Sequence, residues 1–335
     1  MRFGRVLGRG CPGFGALVLP VLLLAGTACG ETESGDEPEP GVASSPADQP
    51  SAAGAVGTYE RNLIFLGASA DSVLAVPFSF RAVASAGGVE RQAWAWLDRG
   101  GAWEAFYKDA WSTGPTRVPW RLHPRGPIHL VVDQGDIFER VIYEEGPRSL
   151  ELVPGEVLSD FAGSRGGTYR LQEGALLLGE RRIDGYVLDA SLAWRQASVP
   201  AADLVLVVSG DALQVVLAGD DGEPEEGAST PWRAWVRMDF VDRGWEEVDV
   251  RWTGSRDFEP ARRPVPDGWT WISPDSALAG ELLIRSSHME AVEGDGPILP
   301  VEAMFEVEGT VTIEGREFPV YGVVRHTQRD PGRPR

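Results

Sequence analysis

Beyond about Thr58 the chain alternates apolar and polar residues with a period of two, the spacing of strands that bury one face. The cleanest run is FEVEGTVTIEGREFPVYGVV, residues 305–324. Phe305, Val307, Gly309, Val311 and Ile313 fall on one face, and Glu306, Glu308, Thr310 and Thr312 on the other. Glu314-Gly315 then supplies a tight turn and REFPVYGVV returns as a second strand. SVLAVPFSFRAV reads as a strand whose Pro77 points to an edge or a bulge. VERQAWAWLDRGGAWEAFYKDAW predicts two strands around DRGG, and MDFVDRGWEEVDVRW repeats the device with its turn at DRG. LVLVVSGDALQVVLA is apolar on both alternations around Gly210 and Asp211, so this hairpin is expected to be buried on both faces. Long amphipathic helical patterns are hard to find, and the expected class is all-β.

The closing hairpin has an echo. YRLQEGALLLGERRIDGYVLDASLAWR, residues 169–195, follows the same plan. Gly174, Gly179 and Gly185 stand where the later stretch has Gly309, Gly315 and Gly322, with one residue of slack in each interval. One reading is chance recurrence of a common hairpin. The other is two similar β-units, each closing with the same hairpin and curling so that no strand edge is left exposed. The second divides the chain into a first unit at 58–200, a second at 201–328 and a disordered tail at 329–335.

Composition adds a compartment and removes partners. The chain has 335 residues, is 43% hydrophobic and 24% charged, and can bury a sizeable core. Its net charge of −19, with no basic run, argues against nucleic acid as a partner. Arg2, Arg5 and Arg9 precede the apolar run ALVLPVLLLAGTA, which is too short for a stable span, so 1–28 reads as a signal peptide. LAGTAC resembles a bacterial lipobox with Cys29 as the lipidated residue, although Gly26 stands where Leu is usual. Cleavage after Ala28 and secretion without lipid is the alternative. Cys11 lies in the leader, which leaves Cys29 alone and excludes a disulfide or a Cys-ligated zinc. The acidic Pro/Ser/Gly stretch 29–57 cannot bury enough apolar area to order itself and reads as a tether.

Four stretches in order carry a family resemblance: LGASADSVLAVPFSFRA, DALQVVLAGDDG, WTWISPDSALAGELLIRS and FEVEGTVTIEGREFPVYGVV. They resemble the opening strand pair, mid-chain strand, Trp-Ser-Pro segment and closing hairpin of a two-barrel lipocalin-like family. That family includes carotenoid 1,2-hydratase (hydroxyneurosporene synthase type) and AttH-like proteins. The resemblance implies an all-β fold of two consecutive lipocalin-like antiparallel β-barrels or curled sheets packed together, with an apolar cavity for a lipid-like molecule. Members commonly carry a Trp-x-Asp-x-Glu-Trp signature after the first hairpin. Here the sequence is GYVLDASLAWR, which keeps Asp189 and Trp194 and lacks the Glu, so the hydratases' catalytic residues do not transfer.

Hydration of an isolated alkene needs a carboxylic acid kept protonated in a dry pocket. Asp189, beside Leu188 and near Trp194, is a candidate, weighed against a turn aspartate at a strand end. His326 in GVVRHTQ is a second, as a barrel-mouth group that orients a ligand or passes a proton, against a solvated histidine near a terminus. His288 and Glu290 share a strand face without a third ligand, and His123 and His129 fit no ligand spacing. No metal and no cofactor is expected. GDDGEPEEG, residues 219–227, lacks the alternating ligands of a calcium loop and reads as a solvated turn. No Gly-x-Ser-x-Gly elbow or phosphate loop occurs. Trp94, Trp96, Trp194, Trp269 and Trp271 are candidate ligand-binding residues, to be weighed against plain core filling.

The functional expectation is an extracytoplasmic protein, anchored to the bacterial envelope through Cys29, that binds a hydrophobic lipid, terpenoid or polyene. The rival is a hydratase, isomerase or cyclase acting in the same cavity. A third reading is a Trp-rich carbohydrate-binding module.

Overall fold

A computed structural model describes residues 57–67, 74–119, 121, 125–133, 135–163, 167–194, 203–219, 232–294 and 296–328. The leader, the tether, Cys29 and most of the 219–227 stretch lie outside them. Nine strands form the first unit: β1 (Gly57–Gly67), β2 (Leu74–Ser85), β3 (Gly88–Arg99), β4 (Trp103–Thr113), β5 (Ile128–Val132), β6 (Phe138–Glu145), β7 (Arg148–Ala162), β8 (Thr168–Leu178) and β9 (Arg181–Trp194). Eight form the second: β10 (Asp203–Ser209), β11 (Leu213–Gly219), β12 (Trp232–Met238), β13 (Val241–Phe258), β14 (Arg263–Ile272), β15 (Leu278–Ala291), β16 (Val301–Ile313) and β17 (Arg316–Gln328).

All pairings between these strands are antiparallel, and β10 to β17 close on themselves as a barrel. The first unit is a nine-stranded sheet in the order β4-β3-β2-β1-β9-β8-β7-β6-β5. It curls until its ends meet through side chains. Tyr143 of β6 donates its hydroxyl to the Phe106 carbonyl on β4 at 3.2 Å, and the two rings meet edge to face at 5.0 Å. Both units are therefore curled antiparallel sheets, as the repeat and the resemblance imply.

The repeat is real in three dimensions. β8–β9 and β16–β17 are matching hairpins, and β9 and β17 each pair with the first strand of their own unit, β1 and β10. Glu314 and Gly315 both take positive φ, 51° and 80°, the turn that suits the strand twist. Gly185 and Gly322 mark the same spot in each unit. A Cβ on Gly322 would lie 2.0 Å from the Leu206 carbonyl oxygen, and one on Gly185 would lie 2.2 Å from that of Leu66. Only glycine lets the closing strand approach its neighbour so closely.

β10 and β11 are buried on both faces because they belong to two cores. Val205, Val207, Val215 and Leu217 point into the barrel; Leu204, Leu206, Val208 and Val216 pack on Ile64, Leu66, Leu188 and Ala190 of the first unit. Each such side chain contributes about 1.5–3 kcal/mol, so the inter-unit layer is a core in its own right.

Two expectations need correction. Pro77 sits in β2, between β1 and β3, not on an edge. The β1 ladder runs through it, while the pairing to β3 skips from Ala75 to Phe78, where a residue without N–H cannot complete the ladder. The turn in MDFVDRGW falls at Asp239-Phe240, with φ of 48° and 66°, and DRG lies inside β13. Burying Ala234 and Val236 sets that register, against the preference for glycine in the turn.

Polar groups are also buried between the units. Arg325 of β17 donates to Glu60 of β1 at 2.7 Å, and Asn62 donates to the same carboxylate at 2.9 Å. Burial alone would raise the Glu60 pKa; Arg325, Asn62 and Arg81 outweigh it and hold the carboxyl below its ordinary range. Further along the seam Asp98 of β3, fully buried, faces Glu306 of β16. Ser286 donates to Glu306 at 2.7 Å, Trp103 to Ser286 at 2.9 Å, and the Gly101 amide to Asp98 at 2.8 Å. Burial first, and the Glu306 charge second, push the Asp98 carboxyl up to about 7.

Candidate functional site

The alternation of β17 carries Phe318, Val320, Gly322, Val324 and His326 into the second barrel. His326 is 3% exposed. The β10–β17 register sets Leu204 opposite Arg325, which brings Asp203 across from His326. Nδ1 lies 2.6 Å from Asp203 Oδ2, while Asp203 Oδ1 accepts the Thr327 amide at 2.8 Å. With Nδ1–H donating to the carboxylate, Nε2 carries the lone pair of the neutral ring. Nε2 is buried and has no hydrogen-bond partner.

Around this ring stand Trp252, Phe305 and Trp269, with centroids 5.6, 6.3 and 6.5 Å away. Trp269 and Trp271 both face the barrel interior, and both indole N–H groups are buried without an acceptor. Trp271 has room there because residue 280 is glycine; a Cβ would lie 2.2 Å from its ring. Three unpaired polar atoms, one acceptor and two donors, thus share an otherwise apolar interior. Unpaired buried polar groups are costly, so these three atoms call for an explanation.

The nearby barrel end is covered by a short 3-10 helix, Glu259–Ala261, whose Ala261 carbonyl accepts the Leu299 amide at 3.0 Å. The side wall differs. β13 pairs with β12 only as far as Val248, and among the described residues Asp249–Phe258 pairs with β14 alone. Trp252 lies on this one-sided stretch and is 41% exposed, although its ring touches buried His326.

The other sequence candidates go elsewhere. Asp189 stands four residues beyond Gly185, as His326 stands four beyond Gly322, but it faces the interior of the first unit. There both its oxygens are bonded by Arg61, at 2.9 and 2.5 Å, an arrangement that occupies the whole carboxylate and opposes use as a proton donor. Trp94 and Trp96 stack at 4.3 Å on the opposite face of their sheet, against the second unit, with His288 4.4 Å from Trp96. His288 and Glu290 do share a face, 3.3 Å apart, and Lys108 joins Glu290 from β4. The backbone of Trp194 pairs with Thr58; its side chain lies outside the described residues. Of the candidates, His326 and Trp269 come together, and Trp271 shares the same barrel interior. Asp203, Trp252 and Phe305 were missed, and the echo of the two hairpins was the signal that could have found Asp203, by aligning the β10 register on that of β1.

Two packed, curled antiparallel units, the second a closed eight-stranded barrel with an aromatic-lined histidine, define a two-unit lipocalin-like protein. Solved structures share this fold. A crystal structure of an AttH-like protein from Nitrosomonas europaea superposes with a TM-score of 0.56 at 10% identity, over 81% of this chain and 92% of that one. Kievitone hydratase from Nectria haematococca gives 0.53 at 10% identity, over 81% and 88%. CghA gives 0.53 at 12% identity, over 83% and 90%. At such identities the likeness is one of fold. No family model and no curated protein sequence matches the chain.

Proposed function

We propose that the protein binds a hydrophobic small molecule inside its second barrel and works outside the cytoplasm, anchored to the envelope through lipid on Cys29. The observation that carries the reading is the unpaired His326 Nε2 in the apolar barrel interior that also holds Trp269 and Trp271, whose indole N–H groups are unpaired. A hydroxyl complements that set: its hydrogen is donated to Nε2 and its oxygen can accept from an indole N–H such as that of Trp269. The ligand is then an apolar molecule of lipid, terpenoid or polyene type bearing an alcohol. Native mass spectrometry with solvent extraction of protein from its own host is the test. An apolar alcohol should co-purify, and added alcohols should change the tryptophan fluorescence. If nothing co-purifies and the fluorescence ignores polyenes and alcohols alike, the reading is wrong.

One observation favours a second reading, a hydratase, isomerase or cyclase acting in the same interior. Asp203 and His326 form a pair able to take a proton at Nε2 and stabilise the resulting imidazolium. That one fold neighbour is named a hydratase is compatible with this. Gain or loss of water by the extracted ligand on incubation with the protein separates catalysis from binding. The carbohydrate reading loses support because Trp94, Trp96, Trp269 and Trp271 are buried and present no flat exposed platform.

A further inference from the structure

The second barrel leaves one long strand edge without a neighbour. β13 pairs with β12 only as far as Val248, and among the described residues the backbone from Asp249 to Phe258 is paired on the β14 side alone. Arg251 to Asp257 are exposed throughout. An open edge of this length is a template for another strand, and proteins often blunt one with proline or lysine. VRWTGSRDF, residues 250–258, contains neither. The β14 ladder skips Thr253 on one strand and Asp267 on the other, so the pairing is back in phase from Ser255 onward.

This stretch is complementary to itself when reversed. In an antiparallel pair of two copies centred on Gly254, Arg251 meets Asp257, Trp252 meets Arg256, Thr253 meets Ser255 and Val250 meets Phe258, each contact occurring twice. The two-fold axis passes through Gly254, where no side chains collide. The faces agree as well. Trp252 and Arg256 stand opposite Trp269 and Val265, which line the barrel, whereas Arg251 and Asp257 stand opposite Thr270 and Pro264 on the outer side. Neighbouring registers fit worse: centring on Thr253 sets Asp249 against Asp257, and centring on Ser255 sets Asp257 against Thr253, with no cation. Arg251 is bonded to Asp249 of its own strand, and the exposed Asp257 supplies it with a second carboxylate across the axis. The ladder ends at Val250 and Phe258 because the 3-10 helix beginning at Glu259 takes over from the strand.

We propose that a second copy of this chain docks on β13, edge to edge and antiparallel about Gly254, joining two barrels through one continuous sheet. The proposal does not depend on the ligand reading. So short a ladder makes a small interface, below about 1,200 Å² in total, and a reversible dimer with a Kd on the order of 10 μM is expected. Sedimentation velocity of the full chain under reducing conditions, over about a hundredfold range of concentration around that value, is the test. A monomer–dimer equilibrium should appear and weaken as salt rises, because two exposed ion pairs contribute to it. Asp257→Arg sets Arg251 against a like charge and should weaken association at least about tenfold, as should Arg251→Asp. Combining Arg251→Asp with Asp257→Arg should restore it. Gly254→Lys, whose Cβ has room beside Asp267, brings two ammonium groups together at the axis and should leave a monomer with unchanged circular dichroism. A chain that stays monomeric, whether its edge is covered by its own residues 220–231 or by nothing, overturns the proposal. So does an assembly larger than two, a dimer indifferent to Asp257→Arg, or a double variant that fails to restore association.

Discussion

Replacing Asp98 by asparagine removes one of the two carboxyls that face each other between the units, yet keeps an oxygen for the Gly101 amide. In the folded protein Asp98 titrates near 7, against an ordinary value of 3.8. The folded state therefore holds a proton across that interval which the unfolded chain has released. Because the folded pKa is raised, the contribution of this group to stability is greatest at low pH and falls as pH rises towards 7, with a slope of up to about 1.4 kcal/mol per pH unit, then levels off. Over the whole interval the ceiling is about 4 kcal/mol, and relaxation of the seam brings the expected loss to about 2–3 kcal/mol. The amide introduced by Asp98→Asn is neutral at every pH and donates to Glu306 as the protonated acid does. Urea unfolding, followed by tryptophan fluorescence at several pH values between about 5 and 8, checks this. Relative to the wild type, Asp98→Asn should gain stability steadily between about pH 5 and pH 7 and gain no more beyond that. Glu60 and Glu290, lowered, and Glu302, raised by burial, titrate in both proteins, so the difference between the curves isolates the pair. Parallel profiles would refute the shared proton.

Gly322→Ala sets a Cβ against the Leu206 carbonyl, a backbone atom that cannot yield, and should cost about 3 kcal/mol or more in thermal melting. Gly114→Ala, with nothing within 4 Å, should stay within about 0.5 kcal/mol. Arg325→Met leaves the Glu60 carboxylate buried without its guanidinium and should cost about 3–5 kcal/mol in urea unfolding. Adding Glu60→Gln should recover more than half of that loss; no recovery would mean that the pair is not the cause. Asp203→Asn should reverse the polarity of His326. The Thr327 amide keeps the side-chain oxygen, so the new NH₂ faces Nδ1 and the ring proton moves to Nε2. Binding of an apolar alcohol should weaken about tenfold in a titration while the corresponding ketone holds or gains. Equal effects on both would show that Nε2 does not meet the ligand oxygen.

The architecture was legible where two physical constraints acted on the same residues. In β16 the buried face and the turn agree: Val307, Val311 and Ile313 must face inward, and only Glu314-Gly315 can make the reversal. In β12–β13 the two constraints conflict. Burial of Ala234 and Val236 overrode the glycine of DRG and forced Asp239 and Phe240 into positive φ, so a reading by turn residues alone misplaced the hairpin. The site was legible in one partner and hidden in the other. His326 stood out as a titratable group on an apolar strand, but Asp203 is 123 residues away in sequence and reaches it only through barrel closure.

The two closing hairpins clarify why the second unit is the better place to look for a ligand. At the matching position, four residues past the packed glycine, each unit carries an ionisable side chain pointing inward and bonded to its own first strand. In the first unit the carboxylate is on the closing strand and the cation on β1, and Arg61 engages both oxygens of Asp189. All three nitrogens of Arg61 are engaged, the third by the Asp136 carbonyl at 2.9 Å. In the second unit the polarity is exchanged: the acid is on β10 and the base on β17. A guanidinium spends its donors on such a pair, whereas an imidazole has two nitrogens and gives only one to the aspartate. The same scaffold position thus becomes an inert cross-strand clamp in one unit and a group with a free coordination direction in the other. Nε2 is itself buried, and the rings of Trp252 and Trp269 stand beside the imidazole. On the reading proposed above, the exchange of one charge pair between the units places the unpaired polar atom in the second barrel rather than after the first hairpin.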